Sequence, residues 1–330
     1  MKKLIKVGLM VLGVMTLMAG CAKAEEGGAK EKVEETFKIG ITQIVEHPAL
    51  DSAREGFIAG LNEAGFEGRV EFVEKNAQGE MPTAQIIAQG FVDDQVDMIY
   101  AIATPTAQAA LNATKDIPIM ISAVTDPVAA GLVESNEAPN GNVSGTSDEA
   151  PIDLQLQLLQ DMGIEASTIG FIYNTSEKNS EVQLAQLTAE AEKLGMSVEV
   201  MGITSLTELE QGIDVLLDKV DVLYTPTDNM VASGIQLIVN KAMNKKVPVL
   251  GAEPAHVEAG ALATCGVNYF ELGRQTGQMA ADVLNGADIS EMPVQKALNP
   301  SITINKASAD QLGVVLSDEL LSDSEIIGEN

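Results

Sequence analysis

Two segments of the chain carry hydroxyl and carboxylate side chains where a helix is predicted to begin. They are residues 103–106, with Thr104 and Thr106, and residues 225–229, with Asp228 and Asn229. Side chains of these types can accept hydrogen bonds from the free backbone amides of a helix start and so cap it. The same amides, left open beside a hydroxyl, form a receptor for a carboxylate. The residues therefore favour either two helix caps or two halves of a carboxylate site.

Three acidic residues are candidates to accept an ammonium group, which a zwitterionic ligand would also bring. Asp148, Asp228 and Glu253 lie at predicted strand ends or at a crossover. Asp228 is the preferred choice because it belongs to the repeated helix-start segment. The alternative for Asp228 is a cap that faces solvent.

Two further loops carry polar side chains at matching positions. His47 lies in the loop after the first predicted strand, and Tyr173, Asn174 and Asn179 lie in the corresponding loop of the second half. The tyrosine could cover an apolar ligand side chain and the asparagines could hold it in place. A lone histidine is more typical of a surface position than of a ligand contact.

The sequence has no recognisable catalytic signature. It lacks a Gly-x-Gly-x-x-Gly, a phosphate-loop Gly-Lys-Ser/Thr, a Gly-x-Ser-x-Gly and a pair of cysteines at metal or redox spacing. Its two histidines, His47 and His256, cannot supply a multi-histidine metal site. We therefore expect no metal, no cofactor and no enzymatic activity, with a hydrolase in the cleft as the alternative to test.

An internal repeat positions these loops. Residues 38–41 return at 168–171 and residues 117–120 at 247–250, both 130 positions later, while residues 97–100 return at 221–224. In each copy short apolar runs alternate with helix-period segments, which predicts parallel strands covered by helices on both faces. The fold class is therefore α/β, with two similar doubly wound lobes. Ligands of such sheets collect beyond the carboxyl ends of the strands, so the polar loops of both copies should face one cleft.

The predicted domain organisation follows from the repeat. Residues 37–147 plus about 268–298 form lobe 1, and residues 148–267 plus about 299–316 form lobe 2. The chain then crosses between the lobes about three times, which makes a multi-strand hinge. Residues 317–330 are acidic and are predicted to be a solvated tail.

The start of the chain is typical of an exported, anchored protein. Residues 1–20 combine three lysines with a short apolar run, as in a signal peptide, and Cys21 follows in a context that resembles a lipoprotein lipobox. Residues 21–36 are predicted to be the lipidated cysteine and a flexible tether. The alternative is a free cysteine after an ordinary signal peptide. The formal net charge of -28 argues against a nucleic-acid partner.

Several segments resemble a known family. Residues 44–51, 101–108, 123–128, 141–145 and the pair Asp228-Asn229 are similar to those of ABC transporter substrate-binding lipoproteins of the tryptophan/tyrosine type, which have a type I periplasmic-binding-protein fold. The positions that the resemblance adds or supports as cleft residues are Thr42, His47, Thr104, Thr106, Thr125, Asp148, Asn174, Asn179, Asp228, Asn229 and Glu253.

The resemblance implies a two-lobed receptor that closes on a small molecule and presents it to a permease driven by an ATPase. We expect a monomer, because one transporter docks one receptor, and a lipid anchor outside the cytoplasm. An aromatic amino acid is the favoured ligand, and the low aromatic content of 3% argues against the ring stacking that sugar receptors use. A nucleoside or sugar receptor and a sensory lipoprotein are the alternatives.

Overall fold

The computed structural model describes residues 35–328. Two separate sheets organise this part of the chain. The first has, in spatial order, β11 (Gln295–Lys296), β5 (Val143–Ser147), β4 (Ile119–Val124), β3 (Met98–Ile102), β1 (Phe37–Gln43) and β2 (Val70–Asn76). The second has β13 (Ser324–Ile327), β12 (Ser301–Asn305), β10 (Ala263–Gly266), β9 (Val249–Gly251), β8 (Val222–Thr225), β6 (Thr168–Asn174) and β7 (Ser197–Ile203). We call the parts built on them lobe 1 and lobe 2.

The strand pairs confirm the predicted parallel sheets. Every pair in the first sheet is parallel, and in the second only β10 and β12 run antiparallel among the described strands. Parallel neighbours need crossover helices, and these cover both faces of each sheet. The helices are α1 (Pro48–Leu61), α2 (Met81–Asp93), α3 (Thr104–Ala113), α4 (Ile152–Asp161), α5 (Lys178–Lys193), α6 (Leu206–Leu217), α7 (Asn229–Ser233), α8 (Ile235–Asn244), α9 (Pro254–Glu258), α10 (Tyr269–Leu284), α11 (Lys306–Leu312) and α12 (Asp318–Asp323).

Each lobe has its own apolar core. On the first sheet, Phe57 and Tyr100 belong to the cluster on one face and Ile99 to the cluster on the other, because neighbouring strand residues point in opposite directions. Two clusters flank the second sheet in the same way, with Phe171 on one face and Leu223 on the other. Since each lobe buries its own core, movement of one lobe against the other leaves both cores intact.

The chain passes between the sheets after β5, after β10 and after β11. The second crossing leads into α10, which packs on α1 of lobe 1 at very short range. A Cβ atom on Gly56 would lie 2.0 Å from the carbonyl oxygen of Phe270, and one on Gly273 would lie 1.9 Å from that of Ala53. Only glycine allows this approach, so α10 is fixed to lobe 1 although it follows the second copy of the repeat.

The solvated tail predicted for residues 317–330 is wrong in its described part. Ser317 caps α12, and β13 then adds a parallel strand to β12 at the edge of the second sheet. The reason is that Leu320 and Ile326 interrupt the acidic residues and pack against the core around β12. Within residues 35–328, no helix has the length and apolar character needed to cross a membrane.

Candidate functional site

The carboxyl ends of both sheets face one narrow cavity between the lobes. Its lining comes from lobe 1, from the crossings and from lobe 2: His47, Leu50, Ala103, Thr104, Ala123, Asp148, Tyr269, Asn179, Thr227, Asp228, Asn229, Ala232 and Glu253. The space open to a water molecule is about 20 Å³, so the lobes are pressed together here. This arrangement follows from the repeat, since equivalent strands of the two sheets end toward each other.

The structure brings seven of the twelve predicted binding residues to this cavity: His47, Thr104, Asp148, Asn179, Asp228, Asn229 and Glu253. The other five, Thr42, Thr106, Thr125, Tyr173 and Asn174, are not among its described lining residues. Sequence reasoning missed Leu50, Ala103, Ala123, Thr227, Ala232 and Tyr269. Ala103 and Thr227 lie in the two helix-start segments, and Leu50 and Ala123 lie in segments that carry the family resemblance, whereas Ala232 and Tyr269 had no such signal.

The lobe 1 side of the cavity is the start of α3, which no side chain of the described chain caps. Ala103 precedes the helix with φ 83° and ψ 152°, a strained conformation for a residue other than glycine. Thr106 is occupied locally, because its hydroxyl lies 2.6 Å from the carbonyl oxygen of Ile102. The Thr104 hydroxyl is buried and has no hydrogen-bond partner within residues 35–328. Open amides and a free hydroxyl together form a receptor for an anionic group.

The lobe 2 side carries Asp228, which caps α7. Its Oδ1 accepts hydrogen bonds from the backbone amides of Met230 and Val231, both at 3.0 Å. Its Oδ2 accepts from the backbone amide of Asn174 and from the Ser180 hydroxyl, both at 2.7 Å. Burial raises the pKa of Asp228, and these donors oppose that rise. The preferred ammonium acceptor is thus already committed to four donors inside its own lobe.

Glu177 organises the neighbouring loop of lobe 2. Its carboxylate accepts hydrogen bonds from the side-chain amides of Asn174, Asn179 and Asn229 and from the backbone amide of Asn229. Burial and the nearby charge of Asp228 raise the pKa of Glu177 to about 7. The amide oxygen of Asn179, which lines the cavity, is buried without a partner in the described chain. Asn179 therefore keeps an acceptor for a ligand, and Glu177 holds it in position.

Two acids meet around Tyr269 near the crossings. The Tyr269 hydroxyl donates to Asp148 Oδ2 at 2.8 Å and also contacts Glu253. Burial raises the pKa of Asp148 to about 6, although the hydrogen bond from Tyr269 opposes the rise. The Thr125 hydroxyl also donates to Asp148, at 3.2 Å, and the backbone amide of Asp148 itself adds a contact. This carboxylate therefore retains lone pairs toward the cavity.

Two histidines lie beside the Glu253 carboxylate. His256 Nε2 lies 3.1 Å from Glu253 Oε1, an ion-pair distance without good hydrogen-bond alignment, and His47 Nε2 of lobe 1 lies 3.7 Å from the same oxygen. Burial raises the pKa of Glu253, but the histidines and Tyr269 outweigh it and bring the value to about 2. Burial lowers the pKa of His47, whose Nδ1 caps α1 by accepting from the Ala49 amide. The histidines and Tyr269 therefore favour the ionised form of Glu253.

A larger cavity of about 290 Å³ opens on the hinge side, between Pro48, Pro254 and Phe270. Tyr269 lines both spaces. We place the functional site in the smaller one because the buried carboxylates and the unpaired hydroxyl of Thr104 converge there. In the described chain, no group of three or more His, Cys, Asp or Glu side chains has a geometry that could hold a metal ion.

Comparison with known proteins gives a consistent result. A family model described as "ABC transporter substrate binding protein" matches residues 38–326. The chain is 44% identical over 328 residues to the tyrosine-binding protein of Clostridioides difficile, covering 94% of both chains. It is also similar to a solved Streptococcus pneumoniae domain in complex with L-Trp, with a TM-score of 0.86 and 35% identity over 89% of this chain and 100% of the other. A ligand-free, open substrate-binding protein from Clostridium difficile gives a TM-score of 0.70 at 48% identity, with the same coverage.

Proposed function

The chain belongs to the family of ABC transporter substrate-binding proteins, and we propose that in this role it captures an aromatic amino acid between its lobes, with L-tyrosine and L-tryptophan as the first candidates. The ligand class is supported by the relative named for tyrosine and by the similar domain bound to L-Trp. Proteins of this family bind the substrate of an ABC transporter, and the family is not a class of enzymes. Its immediate partners are therefore a permease and the ATPase that drives it.

The observation that carries the proposal is that one cavity holds groups of opposite character. The open start of α3 and the unpaired Thr104 hydroxyl suit a carboxylate. The buried carboxylates of Asp148, which follows β5, and of Glu253, which follows β9, line the same cavity and suit an ammonium group. A zwitterion is the simplest molecule that satisfies both sets of groups at once.

We assign the ammonium group to Asp148 in preference to Asp228. Asp148 accepts two hydrogen bonds from other described residues, whereas Asp228 accepts four. An ammonium group beside Asp148 would also remove the cost of ionising this buried carboxyl. Asn179, with its free amide oxygen, is the second acceptor available to the ligand.

The remaining lining suits an apolar side chain. Leu50, Ala103, Ala123 and Ala232 present small or aliphatic surfaces, and Tyr269 adds an aromatic ring. About 20 Å³ of open space is too little for an aromatic amino acid, so binding requires the lobes to separate and then close around the ligand. Thr42, Thr106, Thr125, Tyr173 and Asn174 remain predicted cleft residues of secondary importance.

We further propose that the protein works outside the cytoplasm as a lipid-anchored monomer. Cys21, the signal peptide and the tether lie outside the described residues, so this part rests on the sequence pattern alone. Mass spectrometry of the protein from its native membrane tests it. A diacylglyceryl adduct on Cys21 supports the anchor, and a chain that still begins at Met1 contradicts it.

The ligand is tested by thermal unfolding of the purified protein with single compounds. L-Tyrosine or L-tryptophan at a hundred times its dissociation constant should stabilise the fold by about 2.7 kcal/mol. Tyramine, which lacks the carboxylate, and 3-(4-hydroxyphenyl)propionate, which lacks the ammonium group, should each fail at the same concentration. Stabilisation by a sugar or a nucleoside, with none by any amino acid, would contradict the proposal.

A further inference from the structure

A polar cluster joins the two lobes beside the cavity, which one of its members, Thr227, also lines. It consists of Thr125 from lobe 1 and of Gln183 and Thr227 from lobe 2, and we call it the interlobe cluster. The Thr125 and Thr227 hydroxyls lie 3.2 Å apart, and the Gln183 side-chain amide lies 3.3 Å from the Thr125 hydroxyl. The same amide nitrogen also donates to the Thr227 hydroxyl, and the Gln183 amide oxygen accepts from the Thr227 backbone amide at 3.2 Å.

Contact with a ligand does not explain Gln183. It is fully buried on α5, and neither it nor Thr125 is among the described residues that line the cavity. A buried amide is retained only where its hydrogen bonds are satisfied, and here one partner belongs to the other lobe. When the lobes separate, the bond to Thr125 must break and water must replace it.

The interlobe cluster depends on how the two lobes are arranged. The open Clostridium difficile structure is the more similar in sequence, at 48% identity, yet its TM-score is only 0.70. The L-Trp complex is 35% identical and gives 0.86. The backbone described here is thus more similar to the L-Trp complex than to the ligand-free, open structure. The contacts of Gln183 belong to an arrangement in which the two lobes touch each other.

The interlobe cluster is also connected to the cavity wall. Thr125 shares its hydroxyl between the cluster and Asp148 Oδ1, which lies 3.2 Å away. Asp148 lines the cavity and is further held by Tyr269. A ligand that orders Asp148 therefore also orders the lobe 1 half of the cluster.

We propose that Gln183 is a positioning residue that stabilises the closed form through Thr125 without touching the ligand. Apparent affinity scales with the fraction of molecules able to adopt the binding form, so loss of such a residue weakens every ligand by the same factor. A residue that contacts the ligand instead changes the preference among ligands. This proposal rests on lobe closure and not on the identity of the ligand.

The direct test uses Gln183→Met, which keeps the side-chain length and removes the hydrogen bonds, and Thr125→Val, which removes the same contact from the other lobe. Single-molecule fluorescence transfer between one dye on each lobe measures the closed fraction without ligand and with L-tyrosine or L-tryptophan. Both variants should reduce the ratio of closed to open molecules by about twofold to tenfold, as expected for one or two hydrogen bonds. Equal distributions in the wild type and both variants would overturn the proposal.

Affinity supplies a second readout. The dissociation constants for L-tyrosine and L-tryptophan should rise by one common factor in each variant, and the double variant should cost less than the product of the two. Thr188→Val is the matched control on α5, because its hydroxyl bonds back to the Leu184 carbonyl in the same helix. Failure of both amino acids to bind even the wild type would contradict the ligand proposal and leave the fluorescence result to decide on Gln183. Different factors for the two ligands would make Gln183 a contact residue instead.

Discussion

The two lobes share one fold but use the start of an equivalent helix in opposite ways. The offset in sequence that relates Asp97 to Asp221 also makes Thr104 of lobe 1 and Asp228 of lobe 2 equivalent positions of the repeat. In lobe 2 the carboxylate ties together α7, β6 and α5 through four hydrogen bonds. In lobe 1 the helix start is strained and uncapped by any described side chain. One helix start is therefore closed by contacts within its own lobe, whereas the other leaves the Thr104 hydroxyl without a partner among the described residues.

The largest expected difference is in stability, between Asp228→Ala and Thr104→Val. Asp228→Ala leaves four donors unpaired and should lower the free energy of unfolding by about 2–4 kcal/mol. Thr104→Val removes no hydrogen bond made within residues 35–328, so it should change stability by less than about 0.5 kcal/mol while weakening amino-acid binding about tenfold. Urea unfolding without ligand and calorimetric titration with L-tyrosine measure the two effects. A stable Asp228→Ala variant that no longer binds L-tyrosine would contradict the assignment to Asp148 and make Asp228 the acceptor of the ammonium group.

The second prediction separates the acids that hold lobe 2 together from those that face the ligand. If Asp148 binds the ammonium group, affinity should fall as its carboxyl is protonated, by about tenfold between pH 7.5 and pH 5 for a pKa of about 6. If Glu177 were the acceptor, the midpoint would lie near its pKa of about 7. Tyr269→Phe removes the donor that lowers the pKa of Asp148 and should therefore move the midpoint to higher pH. Titrations with L-tyrosine across this range measure the midpoint of the affinity change. A midpoint that is the same in the wild type and in Tyr269→Phe would exclude Asp148 as the acceptor.

The stability of the unliganded protein should change with pH in the opposite direction. Asp148 and Glu177 have folded pKa values above their ordinary values, so at these two groups the folded chain binds more protons than the unfolded chain between about pH 4 and pH 7. Their contribution to stability rises as the pH falls through this window, while affinity declines; His47, whose pKa is lowered, contributes in the opposite sense below its ordinary value. If stability and affinity both decline as the pH falls, acid is unfolding the protein. The loss of affinity would then not test the role of Asp148.

Sequence reasoning reached the architecture and most of the cavity but not the division of roles within it. The repeat and the alternation of strands and helices predicted two parallel sheets and the loops that meet between them. Whether Asp228 caps a helix or meets a ligand depends on where Ser180 and the Asn174 amide lie, and spacing along the chain does not contain that information. Gln183 carries no signal at all, since a glutamine within a polar helix looks like a surface residue.

The C-terminal segment and Tyr269 show the same limit. Leu320 and Ile326 can pack only because β12 leaves an open sheet edge beside them, whereas the acidic composition around them indicated a tail. Tyr269 enters the site because α10 returns to lobe 1 through its glycine contact with α1. Both features depend on distant parts of the chain that meet only in the folded protein.

The smallest expected effect concerns the strain that distinguishes the two helix starts. Ala103 has φ 83°, whereas Asp228 at the start of α7 has φ -107°. Ala103→Gly should relieve strain of order 1–3 kcal/mol and add an entropic cost of about 0.5–1 kcal/mol, for a net gain of about 1 kcal/mol in urea unfolding. Ala232→Gly is the matched control, since this alanine also lines the cavity but lies within α7, where glycine should destabilise by about 1 kcal/mol. A loss of stability at both positions would show that packing of the Ala103 methyl group outweighs the strain, and the lobe 1 helix start would then be as relaxed as its counterpart.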